Sequence, residues 1–192
     1  MPTDIFNVVE LRAVTKVLKR EGVDYDIRAL KKEIWAEDMS VAVELSGVIS
    51  DVWEEGNWTQ KYDIVFATSG EPKRKRILTE DSRARDIIKG MYGVEKVVAA
   101  ICATVPILVD IVEGKRVTCY DSHSVKGPLK RAGAILDMRT VVIDGKVITA
   151  QAPPLAEIWA EVAVRVARGE EVEEPAKYAY KNPNLGVYHI VE

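Results

Sequence analysis

Both cysteines of the sequence, Cys102 and Cys119, fall where buried strands are expected to end. They lack the close pairing of a zinc site, so neither a metal nor a structural disulfide is expected. Cys102 follows Val97-Val98-Ala99-Ala100-Ile101, a continuous apolar run suited to a strand buried on both faces. It precedes a helical segment, Val105 to Val112, that closes at Gly114. A cysteine on such a turn is held out of the sheet. The N-terminus of the next helix lowers thiol pKa and offers backbone N–H groups to an anion. That is the geometry of a nucleophile elbow. Spacing alone favours a plainer reading, a small buried hydrophobe, because free cysteine is among the most buried residue types.

The surrounding elements must position that thiol. Phe6, Val9, Ala13, Val14, Val17 and Leu18 recur at helical spacing and predict a helix from Ile5 to Arg20, ended by Gly22, with a strand over Tyr25–Leu30. Ser40–Leu45 and Val48–Val52 are expected to be short extended pieces turning at Gly47. Asp63-Ile64-Val65-Phe66-Ala67 is a second buried strand and stops in Thr68-Ser69-Gly70; a helix over Asp81–Tyr92 follows. Arg116–Tyr120 predicts a strand and Val125–Ala132 a short helix closed by Gly133. Thr140–Ile143 and Lys146–Thr149 flank Asp144-Gly145, a strong hairpin signal. Pro153-Pro154 then precede a helix over Leu155–Ala167. Such alternation implies an α/β fold, a mostly parallel sheet with helices on both faces.

Composition narrows the function classes. At 192 residues and 47% hydrophobic, one domain with a sizeable core is the default. A net charge of -3 argues against a nucleic-acid surface, and the basic run Lys73-Arg74-Lys75-Arg76 suits a solvated loop. No apolar stretch approaches the roughly 20 residues that cross a bilayer, and no secretory signal opens the chain, so the expectation is a cytoplasmic protein without a membrane partner. The 30% of charged residues leans toward proteins working at high temperature.

The order and spacing of Asp63–Gly70, Val97–Leu108, Lys115–Tyr120 and Gly145–Pro153 resemble the ThiJ/PfpI family of the class I glutamine amidotransferase-like superfamily, over roughly residues 5 to 168. The resemblance implies a flavodoxin-like three-layer sandwich. In that family a strand ends in a small-residue loop, here Thr68-Ser69-Gly70, and a later Ala-Ile-Cys, here Ala100-Ile101-Cys102, carries the reactive thiol. Gly70 and the amide of Ala103 match the family's backbone donors to an oxyanion. Aligning Val9-Glu10-Leu11 with the family's first helix puts Asn7 where a Glu usually hydrogen-bonds the sulfur, with Glu10 a weak substitute one turn on. Asn7 can donate a hydrogen bond but cannot shuttle a proton. Ala103 replaces the His of peptidase-like members, which disfavours proteolysis. Tyr120 occupies the place of a His found near the thiol in the deglycase branch. His123 lies in an apparent two-residue insertion, either a solvated loop residue or the loop's best candidate base. Gln151-Ala152-Pro153 stands where Arg-Gly-Pro is usual.

Family members open with an apolar strand ahead of the first helix, and this chain starts at Met1 only a few residues before it. Beyond Gly169 comes an acidic stretch, Glu170–Glu174, and then a run of β-formers, Leu185-Gly186-Val187-Tyr188-His189-Ile190-Val191. The expectation is a core over 5–169 with an extension over 170–192, whose strand at Gly186–Val191 fills the first-strand slot in a circularly permuted order. An edge strand, a crossing to another subunit and an earlier chain start are the alternatives. The resemblance further implies a homo-oligomer, and no cofactor is expected. Three functions remain open: a cysteine-dependent hydrolase or lyase acting on small carbonyl compounds, of glyoxalase or deglycase type; a non-enzymatic stress-response or redox sensor oxidised at Cys102; and a scaffold with a vestigial centre.

Overall fold

The computed structural model of the chain describes residues 1–37, 39, 42–70, 75–137 and 139–175. Its elements run β1 (Ile5–Phe6), α1 (Val8–Arg20), β2 (Arg28–Ala29), β3 (Trp35–Ala36), β4 (Gly47–Val48), α2 (Ile49–Glu55), α3 (Trp58–Lys61), β5 (Ile64–Ala67), α4 (Lys75–Glu80), α5 (Ser82–Gly93) and β6 (Val97–Ile101). A 3-10 turn over Cys102–Leu108 follows, then β7 (Arg116–Val117), α6 (His123–Arg131), β8 (Ile135–Leu136), β9 (Val141–Asp144), β10 (Val147–Ala150), a second 3-10 turn at Pro153–Leu155, and α7 (Ala156–Ala167).

The two apolar runs form the centre. β5 and β6 pair in parallel with Ile64 opposite Val97 and Ala67 opposite Ala100. β10 adds in parallel on the far side of β6, with Val147 opposite Val98, and β9 closes that edge antiparallel. The β9–β10 hairpin turns at Gly145-Lys146, one residue later than the Asp-Gly signal places it, with Asp144 ending β9 and Gly145 taking a φ of 61°. Every residue of β6 is buried, which explains its unbroken apolar run. α1 lies against α7 on one face, while α2, α3 and α5 pack together on the other. Trp159 of α7 is fully buried; its Nε1–H donates to Ile148 O at 3.2 Å and its ring meets Phe66 edge-on at 5.2 Å. This contact fixes α7 over β5 and β10, and truncating such a side chain to Ala costs about 3–5 kcal/mol. The result is the expected three-layer α/β sandwich.

Several local expectations are corrected. Ile5–Phe6 is a short strand paired with Trp35–Ala36 rather than the first turn of a helix, because Phe6 buries in a satellite cluster with Leu11, Ala29, Ile34 and Ala36. The extended piece expected over Val48–Val52 is mostly α2, which buries Ile49 and Val52 on one side, a spacing compatible with either element. Lys75–Arg76 open α4 rather than lie in a loop; Lys73 and Arg74 lie outside the described residues. The segment after Cys102 is a 3-10 turn containing Pro106, which has no N–H to donate, in place of an α-helix over Val105–Val112. The strand expected at Gly186–Val191 lies outside the described residues.

Past α7 the chain crosses to the outer edge of the sheet. There Glu174 accepts from Ile143 N–H at 3.0 Å and from Arg116 Nη2 at 2.6 Å, and pairs also with Arg139. No described helix is long and apolar enough to cross a membrane.

Candidate active site

Parallel strands of an α/β sheet gather their following loops at one end, the usual place for a site. Here Thr68-Ser69-Gly70 after β5, Cys102-Ala103 after β6 and Gln151 after β10 share that end. Cys102 adopts a φ of 58°, left-handed backbone that costs a non-glycine residue on the order of 1–3 kcal/mol. Neighbouring bonds hold it there. Thr104 Oγ1 donates to Ile101 O at 2.7 Å and approaches Ala67 O at 3.2 Å, linking the loops of β5 and β6, and Tyr120 N–H donates to Cys102 O at 3.2 Å. Cys102 is 8% exposed and Ala103 7%.

Glu10 brings a buried carboxyl to this end of the sheet. It is fully buried, accepting from Ser69 N–H at 2.5 Å and Ser69 Oγ at 2.6 Å. Burial raises its pKa to about 8, against the opposing pull of both Ser69 bonds, and the negative charge of Glu37 adds to the rise. Glu10, on the first turn of α1, therefore favours its protonated form at neutral pH and is held by Ser69 in the loop that follows β5.

Asn7, expected to face the sulfur, has another task. It is the N-cap of α1; its Oδ1 accepts from Val9 and Glu10 N–H at 3.1 Å each, and its Nδ2 donates to Glu37 Oε2 at 3.1 Å. The cap sets the helix phase that turns Glu10 inward. Both polar atoms of the Asn7 side chain are thus engaged, by the cap and by Glu37.

The remaining candidates divide. Gly70 is buried against the N-terminal segment: a Cβ built on it would stand 1.8 Å from Ile5 O and 2.2 Å from Thr3 Oγ1, so this close approach requires glycine. Tyr120 meets the elbow through its main chain. His123 is exposed on the first turn of α6, behind the N-cap Ser122. Cys119 is fully buried, and burial pushes its pKa up to about 12. Among the described residues, no group of three or more His, Cys, Asp or Glu is arranged to hold a metal.

Comparison with known proteins identifies the family. The family model for the DJ-1/PfpI family matches residues 2–165. An uncharacterized protein of Methanocaldococcus jannaschii is 36% identical over 100 residues, 50% of this chain and 49% of that protein. Drosophila melanogaster protein dj-1beta is 31% identical over 122 residues, 62% of this chain and 64% of that one. The chain thus spans about half of the first relative's length and under two thirds of the second's. The solved structure of a ThiJ/PfpI domain protein from Brachyspira murdochii superposes with a TM-score of 0.76 at 19% identity, covering 89% of this chain and 100% of that one, a likeness of fold. With a cysteine at the strand-to-turn elbow and a family model matching nearly its whole length, the chain belongs to the DJ-1/PfpI family.

Proposed function

We propose that the protein is a cysteine-dependent enzyme acting on small α-oxoaldehydes, a hydrolase or lyase of glyoxalase or deglycase type. The observation that carries this reading is the buried, protonated carboxyl of Glu10, held by Ser69 at the same end of the sheet as the elbow of Cys102. A carboxyl with a pKa near working pH both gives and takes a proton, which general acid–base chemistry needs.

In this reading the Cys102 thiolate adds to the aldehyde carbon, forming a C–S bond while the carbonyl electron pair moves to oxygen. The amides of Gly70 and Ala103 stabilise that oxygen. Glu10 gives its proton to that oxygen; as a carboxylate it then takes the proton from the sulfur-bearing carbon and returns it to the neighbouring carbonyl carbon, while the hydroxyl proton passes to the neighbouring oxygen, which leaves a thioester of a 2-hydroxy acid. Water cleaves the thioester, releasing the acid and restoring the thiol; the net change is oxoaldehyde plus water to 2-hydroxy acid. Peptide hydrolysis fits less well, because Ala103 follows the cysteine where a His partner would be needed.

A second reading, a redox sensor, draws on the 8% exposure of Cys102, which suits attack by a peroxide-sized oxidant. Methylglyoxal consumption by the purified protein separates them. Turnover that falls to background in Cys102→Ser and drops about 100-fold or more in Glu10→Gln supports the enzyme. Turnover unchanged in Cys102→Ser overturns it. No turnover in the parent protein, with peroxide adding oxygen at Cys102, favours the sensor.

A further inference from the structure

We infer that Gln151 binds the second oxygen of the substrate, holding the carbonyl next to the aldehyde while Cys102 attacks. The inference rests on the oxoaldehyde reading of the site and names the residue that selects that class. Strand register puts Gln151 in place. β6 lies between β5 and β10, with Ala100 opposite Ala67 and Ile101 opposite Ala150. Continuing both registers brings Ser69, Cys102 and Gln151 level across the three strands. The thiol is thus flanked by Ser69, with the Glu10 carboxyl it holds, on one side and by Gln151 on the other. Neighbouring strands lie about 4.8 Å apart, so a side chain as long as glutamine reaches an atom a few bonds from the sulfur.

Nothing in the fold uses the end of this side chain. Gln151 is 6% exposed, and its backbone N–H donates to Thr140 O at 3.0 Å. Its carboxamide makes no hydrogen bond to another described residue, yet neither amide atom is sealed from solvent as Thr140 Oγ1 is. Buried amides ordinarily find partners inside the protein, because an unpaired one has given up water for nothing. An apolar side chain of equal length would serve the fold better. An amide that is almost wholly covered, still reachable and unpaired within the protein is one kept for a partner from outside.

The chemistry of the amide suits this task. The oxygen beside the aldehyde is a carbonyl acceptor when the substrate binds and a hydroxyl once the thioester has formed. A carboxamide offers N–H to the first and C=O to the second, so one side chain holds that oxygen throughout; a carboxylate has only acceptors and an ammonium only donors. The spacing is braced from above the sheet. Thr118 N–H donates to Thr149 Oγ1 at 2.9 Å and Tyr120 N–H to Cys102 O at 3.2 Å, which ties residues 118–120 to both β10 and the elbow. A simple aldehyde lacks the second oxygen and forfeits the bond to Gln151.

The test compares methylglyoxal with propanal, which has as many carbons and no second oxygen. Each aldehyde is titrated against the rate at which iodoacetamide labels Cys102, read by peptide mass spectrometry. Glu10→Gln and Glu10→Gln/Gln151→Met are compared, since the Glu10 substitution halts turnover and leaves the thiol adduct at equilibrium. The intrinsic difference between the aldehydes cancels between the two proteins. Gln151→Met should weaken the methylglyoxal adduct about 3- to 10-fold, the worth of one uncharged hydrogen bond, and leave the propanal adduct within about twofold. Its melting temperature should stay level or rise by about 2–6 °C, because an apolar group replaces an unpaired amide. Equal weakening with both aldehydes, no weakening with either, or a lower melting temperature overturns the inference. Turnover in the parent chain judges the enzymatic reading separately: adducts with this discrimination but no turnover would sink that reading and leave Gln151 a binding residue.

Discussion

Replacing Glu10 by Gln tests the electrostatics of the site without removing its shape. The Gln amide oxygen can accept the Ser69 N–H, and its NH2 group can donate to Ser69 Oγ, so both contacts survive. What changes is titration. Glu10 has a pKa of about 8 in the folded chain against an ordinary 4.5, so between those pH values the unfolded chain releases a proton that the folded chain retains. The folded state is favoured fully below pH 4.5, loses ground as pH rises, and loses no more above about 8. At about 1.36 kcal/mol per pH unit the loss approaches roughly 5 kcal/mol as an upper bound, large beside a typical domain stability of about 5–15 kcal/mol. Urea unfolding at pH 5 and pH 8.5 measures it. Parent and Glu10→Gln should be similar at pH 5, and the variant should be more stable by about 3–5 kcal/mol at pH 8.5, with equal m values. Parallel pH profiles for the two proteins would refute the assignment of a neutral buried carboxyl.

Gly70→Ala should destabilise by more than about 2 kcal/mol in thermal melts, because the new methyl collides with the main chain at Ile5. Asn7→Ala should cost about 1 kcal/mol in urea unfolding through loss of the α1 cap, and should lower activity if the cap orients Glu10. In Cys102→Ser, Cys119 should resist iodoacetamide at pH 8 until the protein is denatured, its pKa of about 12 leaving almost no thiolate; labelling of the native variant would contradict its burial. Cys102→Gly should be more stable than Cys102→Ala by about 1 kcal/mol in the same melts, since glycine takes the left-handed backbone freely.

The strands at the heart of the sheet and the β9–β10 hairpin were legible because burial on both faces and the Asp-Gly turn leave direct marks on residue type. The elbow followed from where the apolar run meets Cys102. Short segments were less legible. Val48–Val52 suits either period, and only packing of Ile49 and Val52 against the core selects a helix. Ile5-Phe6 continues the apolar spacing of α1, yet tertiary pairing with Trp35–Ala36 makes it a strand. Glu10 was named only as a weak substitute for Asn7: its spacing from Val14 and Val17 puts it on the buried face of α1, but its bond to Ser69, 59 positions away, leaves no mark on the local sequence.

Glu174 shows how the outer edge of the sheet is kept from other sheets. By taking the Ile143 N–H, its carboxylate occupies a donor that an edge strand would otherwise present to a neighbouring molecule. Burial opposes its charge, but the Arg116 guanidinium and the Ile143 amide outweigh that and hold its pKa below the usual range. Strong acid, by neutralising that carboxylate, would unlatch the edge and invite β-sheet stacking between molecules before the hydrophobic core itself gave way.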